Sequence, residues 1–247
     1  MALLKTRESI KVDELGKILQ VSENTVRRDL AHLEQKGLLS RLQGGATLAD
    51  SQKHAPSVQN RAVLFPDEKR CIAREAAKLI QPDSSIIIDA GTTTLALCAH
   101  LKGLSNLTVI TNSLSACNAL AHTSAVSLIV SGGILLEPTN SFVGKPAEVF
   151  FSSLHADILF LGAKGVSERS GLSNENFYET PVKQKMIAAA DKIVLLADNS
   201  KFGRETLSSF AILDSIDVVV TDSRLEPQYL RLLESRGIEV IIALAQE

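Results

Sequence analysis

A chain of 247 residues that is 45% hydrophobic and 22% charged has the composition of a globular protein, and it is long enough for one large core or for a small and a medium one. Its net charge of −2 excludes a global attraction for polyanions; the first 50 residues carry eight Lys/Arg against seven Asp/Glu and the remainder 18 against 21, so any nucleic-acid surface must be local. There is no apolar run of about 18 residues to span a bilayer, no basic-then-apolar leader, and no paired metal-ligand or disulfide spacing among Cys71, Cys98 and Cys117, so a cytoplasmic protein without metal or cofactor is expected.

In chain order, residues 12–19 place Leu15, Ile18 and Leu19 on one helical face. Ser22 then stands where a helix cap belongs, and Val26, Leu30 and Leu33 form the apolar stripe of a second helix. Asn24, Thr25, Arg27 and Arg28 fall near the start of that helix and mostly off the stripe. A helix, a tight turn and a second helix with polar and basic residues at its N-terminal end is the plan of a helix-turn-helix, whose second helix meets base edges and phosphates in the major groove. Gly37 is a helix stop, residues 38–42 and 46–48 read as two strands, and Gln43-Gly44-Gly45 as the turn between them. Such a wing lets backbone approach DNA closely at Gly44, with Arg41 in reach of a phosphate.

Residues 47–66 are rich in Ser, Gln, Asn and His and hold Pro56 and Pro66, the composition of a linker. The expected division is therefore a winged helix-turn-helix domain at 1–50, a linker at 51–66 and a larger domain at 67–247. In that domain seven short apolar strands are expected at 86–89, 107–111, 126–131, 158–161, 193–197, 218–221 and 240–243, with helical stretches at 95–101, 114–121, 182–190 and 227–234. Buried strands alternating with helices argue for an α/β domain with a mostly parallel sheet covered on both faces.

Polar or glycine-rich residues follow five of these strands, and ligands of open parallel sheets bind at strand carboxyl ends. The run Asp89-Ala90-Gly91-Thr92-Thr93-Thr94 ends a strand and opens a helix with three hydroxyls, which suits an anion, although a threonine there can equally be a plain helix cap. Asn112 and Ser113 follow the next strand, and either could cap the helix beyond it. Gly132 and Gly133 read as a turn as readily as a ligand cradle. Lys164 offers a cation beside Gly165, and Asp198 and Lys201 follow a further strand. Glu179 and Lys183 stand four apart, which fits a helix-surface pair as well as a binding role.

The string TVRRDL…LE…GLL.R..GGA through residue 46 resembles the DeoR family of bacterial sugar-metabolism regulators, and the pieces DAGTTT, TNS, GG, GAKG, ET.VK..M and DNSKFG resemble that family's sensor domain over roughly residues 67–243. The family's sensor fold is in turn similar to sugar-phosphate isomerases. The resemblance implies a DNA-binding repressor of a carbohydrate operon, a dimer or tetramer on double-stranded operator DNA, released by a phosphorylated sugar. It implies that Gly91, Thr92, Thr93 and Thr94 hold the phosphate, while Asp89, Asn112, Glu179, Lys183 and Lys201 line the sugar and anion pocket. Two departures stand out: the first helix looks clipped, leaving Leu3 and Leu4 to close one side of the small core, and Gln43 stands where the family usually has His. The alternative is an isomerase-like enzyme. The related isomerases carry an Asp-Glu pair in the loop that resembles residues 162–166; here Lys164 and Gly165 stand there instead, which favours sensing over turnover.

Overall fold

The computed structural model describes residues 10–19, 21–35, 39–42, 45–48, 61, 64–101, 103–124 and 126–244. Backbone contacts divide the chain into two compact units, Met1–Leu64 and Phe65–Glu247.

The first unit holds β1 (Ile10–Lys11), α1 (Val12–Leu19), α2 (Glu23–Gln35), β2 (Leu39–Leu42) and β3 (Gly45–Leu48). Ile10, Val12, Leu15, Val26, Leu30, Leu39 and Ala46 make its core, and Leu33 packs against them, so the expected stripe of α2 faces inward. Ile18 and Leu19, expected on one helical face with Leu15, are 44% and 54% exposed, whereas Leu15 is buried. The last turn of α1 runs past this small core. The hairpin β2–β3 is antiparallel with Leu42 opposite Gly45, and β1 adds a third strand beside β3 that the sequence pattern did not suggest. At Gly45 a Cβ would sit 2.6 Å from the Ile10 carbonyl oxygen, so the added strand itself demands glycine there. Gly37, Leu38, Gln43, Gly44, Leu3 and Leu4 lie outside the described residues, as does most of the expected linker.

The second unit runs through α3 (Pro66–Ala77), β4 (Ser85–Ile88), α4 (Thr92–Leu97), β5 (Leu107–Thr111), α5 (Leu114–Leu120) and β6 (Val126–Val130). A hairpin of β7 (Ile134–Leu136) and β8 (Ser141–Val143) follows, then α6 (Lys145–Ser152) and β9 (Ala156–Leu161). Next come β10 (Gly165–Ser167), β11 (Gly171–Asn174), α7 (Glu179–Ala188) and β12 (Ala190–Leu196). The unit closes with β13 (Ser208–Ala211), β14 (Val218–Asp222), α8 (Pro227–Ser235) and β15 (Glu239–Ala243).

Seven of these strands form one parallel sheet in the order β15-β14-β12-β9-β4-β5-β6, and they are the seven expected from the apolar runs. Alternate residues enter two separate cores. Ile86, Ile88, Ile158, Phe160, Val194, Leu196, Val218 and Val220 meet Ile72, Ala73 and Ala76 of α3 and Leu97 of α4 on one face. Ile87, Leu159, Leu161, Ile193, Leu195 and Val219 meet Ala147 and Phe151 of α6, Val182 and Met186 of α7 and Leu233 of α8 on the other. Burial on both faces is why these strands are continuous apolar runs rather than alternating ones. Cys98 belongs to the first of these cores, and burial pushes its thiol up to about 12.

A second sheet, β10-β11-β13, is antiparallel and packs Val166, Leu172 and Phe210 into the second core. It is held by close backbone approach. At Gly165 a Cβ would meet the Arg204 carbonyl oxygen at 2.4 Å, and at Gly171 (φ +62°) the Ala211 carbonyl oxygen at 2.1 Å.

Candidate functional site

In the helix-turn-helix, the Ser22 hydroxyl accepts from the Thr25 N–H at 3.2 Å and lies 2.9 Å from the Thr25 hydroxyl, so Ser22 is the cap that its position promised. Asn24, Thr25, Arg27 and Arg28 are all solvent-exposed on the first turns of α2, opposite Val26 and Leu30. Arg27 is paired with Glu23 one turn earlier at 2.8 Å, both side chains being more than half exposed. Such a pair is weak and gives way readily to a phosphate. Arg41 lies in β2 opposite Ala46.

In the large unit the sheet order identifies one location. From β4 the chain proceeds through β5 to β6 in one direction, whereas from β9 it proceeds through β12 and β14 to β15 in the other. The crevice at the carboxyl ends of β4 and β9 is therefore the topological switch point, where open parallel sheets bind ligands. Asp89 follows β4 and Gly162 follows β9, so both stand at that crevice.

Asp89 is 1% exposed. Its Oδ2 accepts from the Gly162 N–H at 2.9 Å and from the Lys183 ammonium. Lys183 also donates to the Gly162 carbonyl at 2.9 Å and lies 5.1 Å from the centre of the Phe210 ring. A lysine on the first turns of α7 thus turns inward and ties the ends of β4 and β9 together, which excludes its reading as a helix-surface cation. Glu179, one turn earlier, is buried as well.

The remaining Asp89 oxygen, Oδ1, is buried and has no hydrogen-bond partner among the described residues. Asn112, at the end of β5, shares this property. Its backbone carbonyl accepts from the Phe142 N–H at 2.7 Å and its Nδ2 donates to the Phe142 carbonyl at 3.2 Å, leaving a buried Oδ1 without a partner among those residues. Native proteins leave few buried polar groups unmatched, and these two, of seven such atoms among the described residues, stand at neighbouring strand ends.

Helix α4 starts at this crevice with Gly91 as its cap residue and no side-chain cap, so neither Thr92 nor Thr93 serves that role. Thr92 is half-buried and Thr93 buried. Thr94 differs: its hydroxyl is fully buried and donates to the carbonyls of Asp89 (2.7 Å) and Gly91 (3.1 Å), holding the turn itself. Gly91 is extended, and a Cβ there would crowd the Thr94 hydroxyl at 3.0 Å.

Other residues singled out from the sequence have structural duties. Ser113 caps α5 by accepting from the Ala116 N–H at 3.1 Å. Gly133 adopts φ +121° with a Cβ position 2.7 Å from the Val143 carbonyl oxygen, and Gly132 is left-handed beside it, so this pair shapes the entry to β7. Asp198 is fully buried and accepts from the Ser200 N–H at 3.1 Å, while Lys201 pairs with it at 3.4 Å. The bridge between Val166 and Phe202 sets this turn alongside β10. Lys164 is half-buried, with its N–H on the Ser173 carbonyl at 2.9 Å. Sequence reasoning singled out the strand end at Gly162 but not its contact with Lys183, and it missed Phe210, which carries no local signal of its own. Among the described residues no cluster of three or more His, Cys, Asp or Glu could hold a metal ion, and no helix is long and apolar enough to cross a membrane.

Comparison with known proteins agrees with both units. Residues 1–52 match the DeoR-like helix-turn-helix domain, and residues 65–223 match the DeoR C terminal sensor domain. The chain is 36% identical to the HTH-type transcriptional regulator GolR of Listeria innocua over 98% of its length and 95% of the relative's. It is 34% identical to a putative aga operon transcriptional repressor of Escherichia coli O157:H7 over 97% and 90%. With the HTH-type transcriptional repressor GlcR of Bacillus subtilis the figures are 33%, 99% and 94%. Among solved structures, ribose 5-phosphate isomerase A of Methanocaldococcus jannaschii overlaps 56% of this chain and 54% of its own at 21% identity, with a TM-score of 0.41. Relatives matched over nearly their whole length are transcriptional regulators rather than enzymes, and the chain belongs to the DeoR family of helix-turn-helix transcriptional regulators.

Proposed function

We propose that this regulator represses a carbohydrate-utilisation operon in the cytoplasm and is released from its operator by a phosphorylated sugar that binds at the β4/β9 crevice. The observation that carries the reading is the pair of buried oxygens on Asp89 and Asn112, without a hydrogen-bond partner among the described residues, beside the start of α4, which has no side-chain cap. A sugar phosphate has the matching chemistry: hydroxyls for the oxygens, and a phosphate for the amides and hydroxyls at Thr92 and Thr93. Lys164 and Lys201 supply cations at the rim. Arg27, Arg28, Asn24 and the wing bearing Arg41 engage double-stranded DNA, with two or four copies of the chain reading paired half-sites. Release follows by linkage: an effector that binds the DNA-free form more tightly lowers operator affinity by the same factor.

The test is fluorescence anisotropy of labelled DNA from the regulator's own upstream region, titrated with the full chain in the presence of individual sugar phosphates. The expected result is tight binding that one sugar phosphate reverses and inorganic phosphate does not. Binding unaffected by every sugar phosphate tried would sink the effector half of the proposal. Absence of binding to the upstream DNA would sink that choice of operator.

A further inference from the structure

From Gly103 to Leu136 the chain carries no Asp, Glu, Lys or Arg, although 22% of the whole chain is charged. This stretch builds one end of the parallel sheet: β5, α5, the outermost strand β6, and β7 beside it. Its exposed residues are apolar or uncharged, among them Asn118 and Ala119 of α5, Ser127 and Ile129 of β6, and Ile134 and Leu135 of β7. A free strand edge is a template for another strand, and proteins guard such edges with charge, proline or bulges. At the opposite end of the sheet β15 carries Glu239, and Arg74 donates to the Leu244 carbonyl just beyond it at 2.8 Å. In the second sheet the outer strand β13 is broken by a register shift. The strand Val126-Ser127-Leu128-Ile129-Val130 has no charge, no proline and no such shift. It pairs in unbroken register with β5 and has no other strand neighbour among the described residues.

We propose that two copies of the chain join at this edge, by antiparallel pairing of β6 with β6 about a two-fold axis at Leu128. This deepens the reading that copies of the chain act together on DNA, and rests on it. Charge and symmetry name the occupant. A charge-free surface is covered without stranding a buried charge only by another charge-free surface, and the same edge of a second copy is one. A two-fold axis closes the contact instead of propagating it, and an axis perpendicular to the sheet makes the joined strands antiparallel. Side chains alternate along β6: Val126, Leu128 and Val130 are half-buried, with Val126 and Leu128 packed against the core beneath α5, while Ser127 and Ile129 are exposed on the other face. An axis at Leu128 is the one that pairs all five residues. Leu128 then meets Leu128 of the second copy, Val126 meets Val130 and Ser127 meets Ile129, with Cβ atoms about 5 Å apart. The apolar row continues from one core into the other, and the outward backbone groups of β6 gain partners.

Sedimentation velocity of the full chain from nanomolar to micromolar concentration reads the association. The unaltered protein is expected to run as a dimer or a larger even-numbered species. Ser127→Lys places two lysines in each join and should weaken association about 100-fold or more, whereas Ile242→Lys on the opposite edge should leave this join within a few-fold of the parent. Hydrogen exchange supplies an arm that needs no variant. In the unaltered protein the outward amides of 126–130 should exchange at least about tenfold more slowly at the highest concentration than at the lowest, and those of 239–243 should not respond. A chain that associates with exchange at 126–130 independent of concentration overturns the proposal while leaving the copies joined elsewhere. So does a folded Ser127→Lys variant that associates like the parent. A chain that stays monomeric at every concentration removes the paired-copy reading, and this proposal with it.

Discussion

Lys183, on the first turns of α7, closes an ion pair with Asp89, which precedes it by 94 residues at the end of β4, and the same ammonium donates to the Gly162 carbonyl at the end of β9. One cation therefore binds together the two strands whose divergence creates the switch-point crevice. With 3% and 1% of the side chains exposed, the pair is effectively removed from water.

Breaking such a pair from one side leaves a buried charge uncompensated. Lys183→Met is expected to lower unfolding stability by about 3–5 kcal/mol, whereas the double variant Asp89→Asn/Lys183→Met should recover a substantial part of that loss. Urea unfolding of the three proteins measures it. A Lys183→Met variant within about 1 kcal/mol of the parent would mean that the pair does not hold the crevice.

Arg27→Ala and Arg28→Ala should each weaken operator binding, and removing a guanidinium that neutralises a phosphate should reduce the magnitude of the log K against log[salt] slope by about one. Arg27 must first leave Glu23, an exposed pair contributing at most about 1 kcal/mol, so Glu23→Ala should not weaken binding by more than a few-fold. Anisotropy titrations at three or more salt concentrations check both points; unchanged slopes for both arginine variants would remove α2 from the DNA.

Two left-handed glycines should respond differently to alanine. At Gly171 (φ +62°) a Cβ lies 2.1 Å from the Ala211 carbonyl oxygen in the adjoining strand, whereas at Gly237 (φ +74°) it meets open space. Gly237→Ala should cost about 1 kcal/mol, the backbone term alone. Gly171→Ala adds a steric clash that must displace β13 and should cost about 2–4 kcal/mol, or roughly 5–15 °C in Tm. Calorimetry that ranks the two equally would argue against the register of β11 and β13.

Asp157 joins the beginnings of β9 and β4: its Oδ2 accepts from both the Ser85 N–H and the Ser85 hydroxyl at 2.7 Å. Those bonds, the backbone N–H first, hold its carboxyl below the usual 3.8. A carboxyl depressed in the folded state contributes stability that is present above its unfolded value and is lost as pH falls through the folded one. Asp157→Asn should therefore cost about 0.5–1 kcal/mol at pH 7, kept small by solvent, and the gap to the parent should close below about pH 4. Urea midpoints at pH 7 and pH 3 decide it; a gap that widens in acid reverses the sign of the argument.

The chain's local patterns were enough to determine the seven strands of the parallel sheet: the inner ones, buried on both faces, are apolar at nearly every position, and runs such as 86–88 and 193–197 have few other uses, while the edge strands β6 and β15, partly exposed, still carry short apolar runs. They also determined the inward stripe of Val26, Leu30 and Leu33 and the Ser22 cap, all of which are set within one or two helical turns. They did not reveal β10, β11 and β13, whose Gly, Ser and Asn residues carry little strand signal and whose pairing is imposed by the core beneath them. Nor did they show that Ile18 and Leu19 would lie exposed, since helical spacing says which residues share a face but not how far the opposing core extends.

The candidate site divides in the same way. Asp89 and Asn112 were legible because each follows a strand that announces itself, and Thr92 and Thr93 because they open the helix after such a strand. The partner of Asp89 was not. Locally, Glu179 and Lys183 are an ordinary i,i+4 pair, and nothing near them says that the lysine turns inward. That was decided by sheet order: only when β9 folds back beside β4 do Gly162 and α7 arrive at Asp89, and an ion pair across 94 residues depends on which strands pair, a property of the whole sheet and of no single segment.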